Sequence, residues 1–374
     1  MRSTLPLIAL LVGCGTAPAD ITVLPGHGSL GESKIYNGSA PDSVEHDATV
    51  ALHQTADGGS SVYISPFCSG TLIAPNVVLT AAHCLDSSSN RRRWRATAPS
   101  SVAVYVGDDP ADQSSGNYDI AYHLYAVTDV EIFSGYNKVS SDGDIALLTL
   151  GADVTEAAPI PNLPASEGLT NSDIGATVNF AGFGQADDGT SGVKLQVDGT
   201  IGGLGCSVSG CPSSGNTATM VSYNQYSSTG GPCFGDSGGP MFVYRTSGTY
   251  VGGVTSYGDS NCTIYGVSTR ADAFEAWIDD YVAAAGGGGG STDGSTGTDG
   301  TTGTDGTTGT DGTTGTDGTG GTDTCGDSVC DADESCDGRS GTVACPSDCD
   351  GVTNGRPSNR YCYVGDTCEG PGCP

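Results

Sequence analysis

Between residues 35 and 285 the chain alternates apolar and polar positions over short runs. Stretches such as SVAVYVGDD (101–109) and ATVNFAGFG (176–184) carry apolar side chains at alternate positions and stop at clusters of Gly, Ser, Asn or Pro. A period of two predicts an all-β domain. One stretch departs from it: ADAFEAWIDDYVAAA (271–285) sets Phe274, Trp277, Ile278 and Tyr281 on one face at helical spacing. That predicts a C-terminal helix, ended by the glycines after Ala285.

The pattern stops at residue 286. Residues 286–324 contain only Gly, Ser, Thr and Asp, with Asp293, Asp299, Asp305, Asp311, Asp317 and Asp323 spaced by six. With nothing apolar to bury, this segment reads as a disordered linker, roughly 30–40 Å end to end for a flexible coil. A calcium-binding β-roll needs a nine-residue repeat with a large apolar side chain, and neither is present. Residues 325–374 then hold eight cysteines: Cys325, Cys330, Cys336, Cys345, Cys349, Cys362, Cys368 and Cys373. So short a segment builds little core, so we expect a small disulfide-rich module. It resembles small Cys-rich repeats in secreted proteins of myxobacteria, which implies no chemistry. Asp331, Asp333, Glu334 and Asp337 offer oxygens to calcium but lack full EF-hand spacing; an acidic surface is the plainer reading.

Charge and cysteine content narrow the classes. A net charge of -30, from 43 acidic against 13 basic residues, repels phosphate backbones and argues against a nucleic-acid partner. The only basic cluster, Arg91–Arg95 (RRRWR), reads as a solvated loop open to nicking, or as an exosite for acidic partners. Fifteen cysteines without zinc-finger spacing point to disulfides and an exported chain. Arg2 followed by the apolar run Leu5–Val12 fits a signal peptide. LVGC, ending at Cys14, resembles the lipobox of bacterial lipoproteins; APA (17–19) resembles an ordinary cleavage site. On the first reading residues 1–13 are removed, Cys14 is lipidated and 14–34 form a propeptide or tether. On the second, cleavage follows Ala19. Both leave fourteen cysteines for pairing. Membrane contact is expected only through that lipid, at the outer membrane or cell surface, with a secreted extracellular protein as the alternative.

Candidate chemistry lies in three separated motifs. GGPCFGDSGGPMF (230–242) sets Ser237 among glycines. A serine hydroxyl is a poor nucleophile near neutral pH and needs a base and a group orienting that base. TLIAPNVVLTAAHC (71–84) ends an apolar strand at His83, and DGDIALLTL (142–150) leads Asp144 into a hydrophobic run. A desolvated carboxylate is tolerated where it meets an imidazole N–H.

Together, TAAHC, DIALL and GDSGGP in this order resemble the trypsin/chymotrypsin-like serine protease family over residues 35–285. The resemblance implies two six-stranded antiparallel β-barrels with the site between them. It implies Ser237 as nucleophile, His83 as general base and then acid, and Asp144 as the group holding the imidazole tautomer. The N–H groups of Gly235 and Ser237 would form the oxyanion hole, and no cofactor is required. Disulfides Cys68–Cys84 and Cys233–Cys262 follow from the same likeness. Ser222 occupies the place of the usual partner of Cys206, so Cys206 is expected to pair locally with Cys211.

ESKIYNGSA (32–40) resembles the family's activation junction. Cleavage after Lys34 would free the amine of Ile35 to pair with Asp236, and would also sever the protease from Cys14. The residue six before Ser237 is Gly231, which sets an uncharged pocket floor, with Gly258 and Gly266 as small walls and Ser256 and Tyr257 lining the substrate. The pocket so implied is open and neutral: apolar or aromatic P1 side chains fit it, and small ones are an alternative. Asp259 near the wall keeps a basic P1 in view. An apolar preference would require a separate activating protease to cut at Lys34. The expectation is a serine endopeptidase made as a zymogen, acting on protein or peptide substrates. The competing reading is a protease-like adhesin working through the Cys-rich tail, with a cell-surface or polymer ligand.

Overall fold

The computed structural model describes residues 21–24, 35 and 38–286, apart from 116, 185–190, 213–214 and 227–228, together with five short strands beyond residue 333. Cys14, Lys34 and nearly all of the 286–324 linker lie outside the described residues.

The alternating pattern folds as two closed antiparallel barrels. The first comprises β2 (Thr49–Ala56), β3 (Ser61–Ala74), β4 (Val77–Thr80), β5 (Val102–Tyr105), β6 (Leu124–Ile132) and β7 (Ala146–Leu150), in the order β3-β2-β5-β6-β7-β4 with β3 and β4 closing the ring. Val50, Leu52, Leu72, Val78, Val104 and Leu148 fill it. The second comprises β8 (Thr177–Gly182), β9 (Leu195–Leu204), β10 (Met220–Asn224), β11 (Pro240–Arg245), β12 (Gly248–Gly258) and β13 (Tyr265–Arg270), closed in the order β10-β13-β12-β11-β8-β9. Closure pairs every strand on both sides and removes the open edges of a sheet. Two elements precede the first barrel. A one-turn helix α1 (Val44–Asp47) leads into β2. Strand β1 (Thr22–Leu24) lies upstream of the activation junction and pairs in parallel with Ser61–Tyr63 of β3. Ile21 and Val23 pack there against the cluster of Ala51, Val62, Tyr105, Ile120 and Phe183.

Helix α2 (Glu275–Ala284) forms where helical spacing predicts it, and Gly286 at φ 77° follows its end. It continues the chain from β13 but packs back on the first barrel. Ile278 is fully buried, Phe133 meets Trp277 edge-on at 5.5 Å, and Tyr281 Oη lies 2.9 Å from Thr149 Oγ1. The helix thus straps the two barrels together around shared apolar contacts that include Leu79, Leu147, Phe242 and Val254. No helix among the described residues is long and apolar enough to cross a membrane. Arg91–Arg93 are exposed, while Trp94 beside them packs against the first barrel.

Three disulfides form, Cys68–Cys84, Cys206–Cys211 and Cys233–Cys262, with Cα separations of 6.2, 5.5 and 5.5 Å. Ser222 Oγ, in place of a sulfur, accepts from Ser207 N at 3.2 Å. The C-terminal region is a separate unit. In it, β14 (Glu334–Ser335) pairs in parallel with β15 (Val343–Ala344), and β16 (Gly351–Val352), β17 (Arg360–Val364) and β18 (Thr367–Glu369) form an antiparallel sheet.

Candidate active site

Three loops converge on one cleft. His83 sits in the turn after β4, where a 3₁₀ turn (Ala82–Leu85) ends the strand. Asp144 lies two residues before β7, the strand paired with β4, so the register of the first barrel brings the two side by side. His83 Nδ1 lies 2.7 Å from Asp144 Oδ2, and the His83 backbone N–H donates to Oδ1 at 2.8 Å. Ser256 Oγ adds a donor to Oδ2 at 2.5 Å. Ser256 reaches that carboxylate from a bulge in β12, where pairing shifts between Thr255 and Tyr257. A bulge re-aims one side chain without breaking the strand.

Burial and pairing oppose each other at this pair. Burial alone would lower the His83 pKa, but the charge and hydrogen bond of Asp144 raise it above the ordinary imidazole value. Burial would raise Asp144, yet His83 and Ser256 hold it below the usual carboxylate range. The imidazole is thereby fixed as the Nδ1–H tautomer, with Nε2 left to accept a proton.

Ser237 lines the same cavity as His83. Its loop is locked by its backbone: Ser69 N donates to Ser237 O at 2.8 Å, Gly238 N to Thr255 O at 2.8 Å, and Ser69 Oγ to Gly235 O at 2.9 Å. Gly235 and Gly238 have φ of 90° and 84°. A methyl group on Gly238 would fall 2.1 Å from Thr80 Oγ1 and 2.3 Å from Ser69 O, so only glycine fits. Among the described residues no acceptor takes the N–H of Gly235 or of Ser237.

Asp236 points the other way, into the protein. It is 1 % exposed and accepts from Cys233 N at 2.9 Å and Gly184 N at 2.8 Å. Burial lifts its pKa to about 7, against the lowering effect of those two N–H groups. No cation pairs with it among the described residues. Ile35 buries its side chain in the second barrel with Leu163, Val178, Phe180 and Met241.

A cavity of about 310 Å³ runs from His83 and Ser237 past Cys233, Phe234, Ser256, Tyr257 and Gly258. Gly258 and Tyr257 stand on its wall as the sequence implies, and the Cys233–Cys262 bridge borders it. Gly231 and Gly266 do not line it. Gln225 covers the first: a methyl on Gly231 would lie 2.3 Å from Gln225 Nε2, and that amide donates to Pro232 O at 2.6 Å. Tyr223 covers the second: a methyl on Gly266 would lie 2.3 Å from Tyr223 Cε2. The signal for Tyr223 was a bulky aromatic in MVSYNQ, but its direction depends on pairing with β13, which no local pattern shows. Asp259 is at the rim, with its carboxylate taken by the N–H groups of Asn261, Ile264 and Tyr265 at 3.0, 2.8 and 3.1 Å. Those donors overcome the effect of burial and lower its pKa.

Comparison with known proteins agrees with this geometry. The family model described as Trypsin matches residues 35–278. The chain is 30% identical to a trypsin from Saccharopolyspora erythraea, over 60% of this chain and 87% of that protein. It is 33% identical to brachyurin from Leptuca pugilator, over 57% and 86% respectively. It is 31% identical to chymotrypsin-like elastase family member 1 from Macaca fascicularis, over 62% and 83%.

Proposed function

The chain belongs to the trypsin family of serine proteases and is a serine endopeptidase; from that premise we propose that Ser237, His83 and Asp144 carry its chemistry. The observation that carries the assignment is the 2.7 Å contact from Asp144 to His83 Nδ1 in the cavity that Ser237 lines. Ser237 Oγ attacks the scissile carbonyl while His83 Nε2 takes its proton. The N–H groups of Gly235 and Ser237 hold the resulting oxyanion. His83 then returns the proton to the leaving amine, and water repeats the sequence on the acyl-enzyme. One oxyanion donor is typically worth on the order of 10²–10³ in rate.

The protein is a zymogen in this reading. Cleavage after Lys34 turns Ile35 N into an ammonium, which pairs with Asp236 and fixes the loop between Cys233 and Ser237. A buried carboxylate without a cation supports such a switch, because its pairing is worth several kcal/mol in typical cases. The pocket is neutral, so it takes an uncharged P1, and a separate protease acts at Lys34. The engaged carboxylate of Asp259 speaks against a basic P1. Export follows from the signal-like start, with Cys14 lipidated or removed. The 286–324 segment and the Cys-rich module then serve as spacer and docking module on a cell-surface or polymer ligand.

The test is a fluorophosphonate probe on purified protein before and after controlled cleavage at Lys34–Ile35, with Ser237→Ala as control. We expect labelling after cleavage only, and none in the variant. Labelling of the uncleaved chain would discard the switch and keep the nucleophile. Absence of labelling in folded, cleaved protein would remove Ser237 from the mechanism.

A further inference from the structure

The protease reading leaves open which residue precedes the cut, and the base of the cavity bears on it. Gly231 and Gly266 suggest a deep, empty pocket when taken alone. Both are covered. Tyr223 projects from β10 opposite Gly266 of β13, its register partner, and its ring lies where a side chain on Gly266 would enter the pocket. The ring is 1 % exposed and packs on Phe180 with centroids 4.4 Å apart, so it is wedged rather than free to swing. A register shift in the pairing of β10 with β9, between Ser222 and Tyr223, sits at this residue. Gln225, tied to Pro232 O, fills the space beside Gly231.

We propose that Tyr223 is the specificity-determining residue of this protease, truncating the pocket so that it accepts short and medium aliphatic P1 side chains, alanine to leucine, and excludes aromatic and basic ones. This deepens the serine-protease reading and rests on it. The closed base is neutral and offers no counter-charge to Lys or Arg. A phenyl or phenol ring at P1 needs the volume the Tyr223 ring already fills. Tyr223 Oη is buried beside Ser268 and Thr255. The bulk of the ring sets the limit.

The experiment uses full-length protein cleaved to begin at Ile35 and a set of peptide amides differing only at P1: Ala, Val, Leu, Phe, Tyr and Lys. In the wild type, kcat/KM for Leu or Val should exceed that for Phe and Tyr by about 10-fold or more, the scale set by misfit in an apolar pocket. Tyr223→Ala should raise the Phe-to-Leu ratio by about 10-fold or more. Tyr223→Phe should leave that ratio unchanged, which a role for the hydroxyl would not allow. If Tyr223→Ala fails to fold, Tyr223→Leu should shift the ratio the same way by less. Wild-type enzyme that cuts after Phe, Tyr or Lys as well as after Leu would overturn the proposal. So would a ratio that ignores the loss of the ring. If cleaved protein turns over no substrate and Ser237 takes no fluorophosphonate, the protease reading itself fails, and this proposal with it.

Discussion

Asp144 receives hydrogen bonds from the His83 ring, the His83 backbone and Ser256. Each donor has a different job, and substitutions separate them. Asp144→Asn keeps the shape but presents an N–H to His83, which favours the wrong tautomer; kcat should fall about 10⁴-fold. Ser256→Ala removes one charge-assisted bond while leaving the tautomer intact, so the loss should be about 10-fold, read from kcat/KM on one substrate. The acid limb of the pH profile follows from His83. Its pKa is raised in the fold, so activity should fall as the pH drops through a value above about 6.5, the free imidazole value. In Asp144→Asn that limb should move to lower pH. An unmoved limb would mean that another group titrates. These residues were legible because each lies in a compact local motif. Tyr223 was not, because what matters about it is the strand beside it.

At the scale of elements, bridges and the strap can be tested apart from the chemistry. Cys233–Cys262 closes a loop of 29 residues beside the substrate cavity. Replacing both by serine should cost about 3–4 kcal/mol in denaturant unfolding, from the loop entropy returned to the unfolded chain. It should also blur P1 discrimination, since Cys233 and Cys262 line the pocket. Ile278→Ala in α2 should cost about 2–5 kcal/mol and leave P1 discrimination alone, because Ile278 is fully buried and lines no part of the cavity. The helix was legible from its apolar spacing, and most strands from their alternation. The bulge at Ser256 was not. A bulge adds one residue to a strand, and only the partner strand's register reveals it.

At the scale of the whole molecule, the proposed pairing of Asp236 with the Ile35 amine would link covalent state to stability. Its pKa of about 7 in the uncleaved fold exceeds the unfolded value of about 3.9. The folded chain therefore holds a proton that the unfolded chain has lost between those limits. Its contribution is present below about pH 4 and fades as the pH rises to about 7, by up to about 4 kcal/mol. In the proposed activation, cleavage after Lys34 supplies an ammonium that favours the ionised form, so the slope should flatten or reverse. Urea unfolding of Ser237→Ala, uncleaved and cleaved, at pH 5 and pH 8 checks this. Equal slopes in the two forms would separate Asp236 from the activation event.

Strand β1 adds a consequence at this scale. It stands upstream of Lys34 and its partner β3 stands downstream. While the chain is whole, the strand is its own neighbour, kept at an effective concentration on the order of millimolar. A cut between them makes the same residues a free peptide, and no cysteine lies between residues 15 and 34 to hold it. Three paired residues and three half-buried apolar side chains fall short of the roughly 4–15 kcal/mol that association demands. On the activation proposed above the peptide leaves, and the carbonyl of Ser60 loses the N–H of Thr22 that it accepts from. A single hydrolysis would thus change the valency of the molecule: a protein with its first barrel's rim occupied becomes one with a vacancy for a strand from another chain.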